Sequence, residues 1–173
     1  MKIAFSGPIC SGKSTMSKYL QEEYNCKIIS FAQPVKTYCT EIFEMKNKDR
    51  KLLQTFADKC KEINPFVWVN LAEKEILKNI NKNIIIDDLR YPNELSMLKK
   101  HNFIIIKLCI NRDFQIRRIK KTYPYTFNQH IERLYHTSET YYEKLNYDYK
   151  ININELNQNH IKNNIKDIVN KIT

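Results

Sequence analysis

Glycine occurs only twice in the 173 residues, tryptophan once and proline five times. So little glycine and proline leaves no flexible spacer, and no internal repeat or low-complexity tail marks a second domain. No apolar run approaches the roughly 20 residues that a membrane span needs. The first apolar stretch ends at once in a glycine-containing turn, so the N-terminus does not read as a secretory signal. The five cysteines (Cys10, Cys26, Cys39, Cys60 and Cys109) are odd in number and scattered. They lack C-x-x-C spacing, which argues against a disulfide or zinc framework and for reduced thiols in a cytosol-like compartment. Carboxylates are in the minority, 19 against 29 lysines and arginines, giving a net charge of +10. That excess asks for an anionic partner, either a nucleotide's phosphates or a nucleic acid. Asn, Lys and Ile are abundant throughout, as in "ILKNINKNIII", and a diffuse bias of this kind accounts for part of the charge.

Hydrophobic residues make up 42% and charged residues 28%, ordinary for one globular domain large enough to bury a core. Residues 2–6 read as a strand, and Met16, Tyr19 and Leu20 recur at helical spacing after it. "KIIS" is a second short strand, and "QPVKTYCTEIF" a helix with Pro34 in its first turn. "KDRKLLQTFADKCKEI" and "FVWVNLAEKEILKNI" are helices parted by Asn64-Pro65. "NIIIDD" and "FIIIKLCI" are continuous apolar runs of the kind found in buried parallel strands, with helices expected over "PNELSMLKKH" and "RDFQIRRIKK". Beyond Pro124, "FNQHIERLYHTSETYYEKL" reads as helix with a break near Thr137, "YKINI" as a last strand, and "NHIKNNIKDIVNKI" as an amphipathic closing helix. The alternation predicts an α/β domain spanning 1–173 whose sheet is mainly parallel.

Gly7-Pro8-Ile9-Cys10-Ser11-Gly12-Lys13-Ser14 fits G-x-x-x-x-G-K-[ST] in full, between a predicted strand and a predicted helix. Gly7 and Gly12 permit backbone conformations that turn successive N–H groups inward around a phosphate. The helix that follows adds the positive end of its dipole. In such loops the lysine, here Lys13, reaches the β- and γ-phosphates, and the hydroxyl of Ser14 can ligate Mg²⁺. Cys10, Ser11 and Thr15 complete the set expected to hold ATP. No N-K-x-D guanine-reading motif is present, which argues against a GTPase. The short chain and its downstream basic residues favour a small kinase over an ABC- or helicase-type ATPase.

"SFAQPVK", "RKLLQTF" with "NPFVWVN", "IIIDDLRYPNE" and "HTSE" follow the P-loop in that order. Together they resemble the deoxynucleoside-monophosphate kinases of bacteriophages and other large DNA viruses, over residues 2 to about 152. The resemblance implies a P-loop three-layer sandwich with a mainly parallel sheet flanked by helices. It adds a helical acceptor-binding region near 33–80 and a lid near 112–140. The implied reaction is transfer of the ATP γ-phosphoryl group, with Mg²⁺, to a deoxynucleoside monophosphate in a host cytoplasm. Asp88 and Arg90 carry over from the family: Asp88 to direct the metal or the acceptor, Arg90 to grip the acceptor phosphate. A carboxylate at the end of a buried strand, where parallel sheets keep their ligands, and an arginine suited to bidentate contact support both roles. Asp87 is a weaker candidate. By the same resemblance Lys36, Arg50, Gln54 and Trp68 line the acceptor site. The stretch "TFADKCKEINPF" departs from the family in lacking an expected glycine and arginine.

Arg112, Arg117 and Arg118 look like lid arginines, with Arg112 on the cofactor and Arg117 favoured as the one that neutralises the transferring group. His136 and Glu139 belong to the lid or the acceptor side. No H-R-D catalytic loop is present. A phosphate monoester, with a second pKa near 6, is already an anion at neutral pH, so its phosphorylation needs positioning and charge neutralisation without a base. A kinase of another phosphorylated metabolite and a basic nucleic-acid-binding P-loop protein remain open alternatives. The expected partners are the monophosphate and a possible second copy of the chain, with no membrane and nucleic acid disfavoured.

Overall fold

The computed structural model describes residues 1–134, 141–153 and 158–172. Its frame is five strands, β1 (Lys2–Ser6), β2 (Lys27–Ile29), β3 (Ile84–Leu89), β4 (Ile104–Ile110) and β5 (Tyr149–Ile153). They form one sheet in the order β2-β3-β1-β4-β5, and every pairing is parallel. The central three strands run without polar alternation because both faces are covered. Ile3 and Phe5 of β1 pack with α1 (Lys13–Tyr24) and α8 (Gln158–Ile172) on one side, through Met16, Leu20, Ile161, Ile165 and Val169. Ala4, Ile84 and Ile86 face the other side, against Val69, Ala72 and Ile76 of α4 (Val67–Lys78) and Met97 and Leu98 of α5 (Pro92–Lys100).

A third apolar cluster lies off the sheet, where α2 (Ala32–Phe43) and α3 (Arg50–Ile63) pack with the start of α4 through Val35, Cys39, Phe56 and Trp68. This is the helical region expected near 33–80. Across the cleft, α6 (Arg112–Thr122) is capped by Asn111, whose side chain accepts from the N–H groups of Asp113 and Phe114. A 3₁₀ turn at Pro124–Thr126 follows, then α7 (Phe127–Arg133). The long helix expected from residue 127 ends at Arg133, and Tyr141–Lys144 is a separate 3₁₀ turn. The second strand stops at Ile29, one residue short of expectation, because the Ser30 hydroxyl turns to bond Asp88. Among the described residues, no helix is long and apolar enough to cross a membrane.

The last strand is fixed by one carboxylate. Asp148 accepts from Lys99 Nζ at 2.7 Å on each oxygen and from the Ile105 N–H at 2.7 Å, and its own N–H donates back to the Ile105 carbonyl at 2.9 Å. The exposed ion pair contributes little, whereas the amide of fully buried Ile105 has no solvent to replace its acceptor. Asp148→Ala is therefore expected to lower the unfolding free energy by about 1–3 kcal/mol, read from urea denaturation at unchanged m-value.

Candidate functional site

The carboxyl ends of β1 and β3, the start of α1 and the helices α2, α3 and α6 enclose a cavity of about 690 Å³. It lies at the carboxyl ends of neighbouring strands whose following helices, α1 after β1 and α5 after β3, cover opposite faces of the sheet, at the edge where open parallel sheets hold ligands. One wall is the loop between β1 and α1. Gly7 has φ +145, and a β-carbon there would stand 2.5 Å from the Leu108 carbonyl oxygen of β4. Gly12 has φ +96 with open space around it, and Cys10 also takes a positive φ, 62. These conformations turn the loop around the end of α1. Lys13 is buried, its ammonium donating to the loop's own carbonyls, Gly7 at 2.6 Å and Pro8 at 2.7 Å. Ser14 and Thr15 are exposed at the helix start and line the cavity with Cys10, Gly12 and Lys13. Gly7 and buried Ser11 form the back of the loop. No local signal in the sequence marked its brace, Gln115 of α6, which is buried and donates from Nε2 to the Ile9 carbonyl at 2.9 Å.

The two aspartates differ. Asp88 is engaged by the corner before α2: it accepts from Ser30 Oγ (2.6 Å), the Phe31 N–H (3.0 Å) and the Ala32 N–H (2.9 Å). Helix α2 has no side-chain cap of its own, so Asp88 supplies one from β3 and satisfies amides that the helix start leaves open. Asp87 meets the loop instead. The β1–β3 register shifts across this stretch, with Ser6 paired to Leu89 and Leu89 packed on the side of Ile84 and Ile86. The two carboxylates are therefore told apart by their partners: the charges of Lys13 and Lys36 act on Asp87, and the corner before α2 bonds Asp88. Burial pushes the Asp87 carboxyl up to about 6, the charge of Asp88 adds to this, and Lys13 and Lys36 pull it back. The metal-directing role expected of Asp88 thus falls on a carboxylate already occupied as a cap, and Asp87 is the one presented to Lys13.

Arg90 lines the cavity from the loop after β3. That loop is closed by Glu94, which is buried and accepts at Oε2 from the Arg90 N–H (2.7 Å) and the Tyr91 N–H (2.9 Å). Burial raises the Glu94 carboxyl to about 8, helped by the charge of Asp88 and opposed by those two amides. Lys36 of α2 and Arg50 and Gln54 of α3 also line the cavity, the last two one helical turn apart. Lys48, Tyr91, Tyr123 and His130 join them without having been singled out from the sequence.

Three of the expected residues do not line the cavity. Trp68 is core, not lining: it is 7% exposed, its Nε1–H donates to the Ala57 carbonyl at 3.1 Å, and its ring meets Phe56 at 5.8 Å. Of the adjacent arginines it is Arg118, not Arg117, that faces the cavity. Helical phase is the reason, since Arg118 shares a face with Thr122, four residues on, and Thr122 is also in the lining. Arg112 lies outside the lining, its guanidinium donating to Gln115 Oε1 at 3.1 Å beside the loop. His136 and Glu139 lie outside the described residues.

The two glycines predict different tolerances. At Gly7 an added methyl group collides with strand backbone, whereas at Gly12 only backbone strain of about 1–3 kcal/mol opposes it. Gly7→Ala should lower the thermal midpoint clearly more than Gly12→Ala. Equal shifts would mean that the loop lifts off β4 at no cost.

The sequence profile of the AAA domain family matches residues 3–124, which takes in the loop, both aspartates and α6. No curated protein matches the chain in sequence. Among solved structures it is similar to TT1252 from Thermus thermophilus, at 13% identity and TM-score 0.64, covering 100% of this chain and 98% of that one. It is also similar to shikimate kinase from Bacteroides thetaiotaomicron (16% identity, TM-score 0.59, 99% of this chain and 98% of that one). Shikimate kinase from Aquifex aeolicus follows the same pattern (19% identity, TM-score 0.53, 99% and 97%). At these identities the likeness is one of fold, a P-loop α/β kinase fold. With more than half of its length matched by the profile, and a nucleotide-type phosphate loop at its centre, the chain belongs to the AAA domain family.

Proposed function

We propose that the protein is an ATP- and Mg²⁺-dependent kinase whose acceptor is a phosphate monoester, specifically a deoxynucleoside 5'-monophosphate. The observation that carries this reading is the charge of the cavity. Lining the cavity with the phosphate loop are Lys36, Lys48, Arg50, Arg90 and Arg118, contributed by three helices and two loops, against two carboxylates, Asp87 and Asp88. A second phosphate-bearing substrate opposite the first accounts for so many converging cations.

The loop fits the donor: two glycines at positive φ, of which Gly7 has no room for a β-carbon, a buried lysine and an exposed serine at a helix start. Bound Mg·ATP would supply the phosphoryl group and a metal charge on its oxygens. Lys13 would exchange the loop's carbonyls for those oxygens, and Ser14 would ligand the metal. Asp87, beside Lys13, would orient the metal's water shell. Arg90 and Arg50 would hold the acceptor phosphate, with Lys36 near the reacting oxygens and Gln54 reading a base edge. Arg118 would neutralise charge that spreads over the equatorial oxygens. Acceptor phosphate dianions need no general base. A second reading, a hydroxyl acceptor, is favoured by one observation: an Asp87 that titrates near 6 is suited to take a proton.

Purified protein with ATP, Mg²⁺ and each of dTMP, dGMP, dCMP and dAMP should release ADP with at least one of them. Turnover with shikimate and with none of the four would establish the second reading. Arg90→Ala should reduce turnover with the monophosphate about 100-fold. Because Asp87 must be ionised, activity should fall as pH drops below about 6. The sign for stability is opposite. The folded-state pKa lies above the unfolded one, so the stability present at acid pH is lost as pH rises toward 6. Asp87→Asn is therefore expected to be inactive yet to melt a few degrees higher than the natural protein at pH 7.5, whereas Asp88→Asn melts lower.

A further inference from the structure

Arg50 reaches the cavity from α3, and the group that fixes it comes from the far side of the chain. His130 of α7 is 1% exposed, and its Nδ1 stands 3.1 Å from Arg50 Nη1. A guanidinium has donors and no acceptor, so Nδ1 accepts, and the imidazole is the neutral Nε2–H tautomer. The ring lies stacked on Tyr123, with centroids 4.1 Å apart and planes at 18°. The same tyrosine ring has the Arg50 guanidinium 5.5 Å from its centroid. Pro124, at the start of the 3₁₀ turn between Tyr123 and α7, folds the chain back so that the two rings meet. All three side chains line the cavity.

The geometry points to His130 as a positioning residue for acceptor recognition, and this inference rests on the acceptor reading above. An arginine on a mobile side chain loses conformational entropy when it grips a phosphate. Anchoring one corner of its fork on a buried imidazole, against an aromatic face, sets the guanidinium plane before any ligand arrives. The anchor also joins α6 and α7, on the phosphoryl-transfer side, to α3 on the acceptor side. Through it, the residues that neutralise the transferring group are registered to those that hold the acceptor. The loop that takes the donor phosphates is braced by Gln115 instead, so His130 should govern the acceptor and leave the donor alone.

Two substitutions separate the parts. His130→Phe keeps a ring on Tyr123 and removes the acceptor atom, and His130→Asn places an amide oxygen near the position of Nδ1. With the monophosphate that turns over, His130→Phe should raise the acceptor KM about 10-fold and leave the ATP KM within about twofold, while His130→Asn stays within about threefold of the natural protein for both. Equal rises in both KM values for His130→Phe, or an acceptor KM in His130→Asn as poor as in His130→Phe, would overturn the inference. If none of the four monophosphates turns over, the kinase reading fails and the inference is judged by calorimetry. Inorganic phosphate is then titrated into protein saturated with Mg·ADP. Weaker phosphate binding in His130→Phe alone upholds the anchoring of Arg50; no binding, or equal binding in all three proteins, refutes it.

Discussion

The close contact of Gly7 with the Leu108 carbonyl sets the position of everything else in the cleft. The phosphate loop is laid directly on the neighbouring strand, with less space than one carbon atom requires. That contact fixes where α1 begins, and so where Lys13 and Ser14 stand. From the opposite side Gln115 holds the Ile9 carbonyl, so the loop is gripped between β4 and α6. A chain with two glycines in all places both of them here, and every other tight connection is made with other residues. Asn25 and Glu44 accept left-handed conformations at the ends of α1 and α2.

A second constraint is electrostatic. Two adjacent carboxylates at the end of a buried strand repel each other and lose hydration. The fold separates their tasks. Asp88 takes three donors from the corner before α2 and becomes part of the frame, placing Lys36 one turn into that helix. Asp87 receives no such set, and its raised pKa reflects the cost of keeping it charged beside the loop. Such strain at a site is usually tolerated where an approaching cation relieves it. Glu94 extends the pattern one turn on, its buried carboxyl closing the loop that carries Arg90.

Much of this architecture is legible in the sequence. The apolar runs "NIII" and "FIII" give buried parallel strands because both faces of the sheet are covered, and the loop motif gives its strand and helix. The motif "DDLRYPNE" falls at the cavity, but the motif alone does not divide the labour between its two aspartates. Strand alternation does not supply that division, because the β1–β3 register shifts between Ala4 and Ser6 and Leu89 falls on the side of Ile84 and Ile86. Arg117 and Arg118 look alike in a basic run, and only the phase of α6 relative to the cleft distinguishes them. Trp68 reads as a base platform from its chemistry, yet its indole N–H is used by Ala57 in the packing of α3 on α4. His130 and Tyr123 carry no local pattern at all, because their partner Arg50 is 80 residues from His130 along the chain.

The placement of Trp68 has an optical consequence. It is the single tryptophan of the chain, and it is bonded to a backbone carbonyl of the helix that carries Arg50 and Gln54. Indole emission depends on the polarity and hydrogen bonding of its surroundings. The protein therefore contains an intrinsic fluorophore attached to the α3 wall of its cleft, sensitive to displacement of α3 without any label or engineered residue.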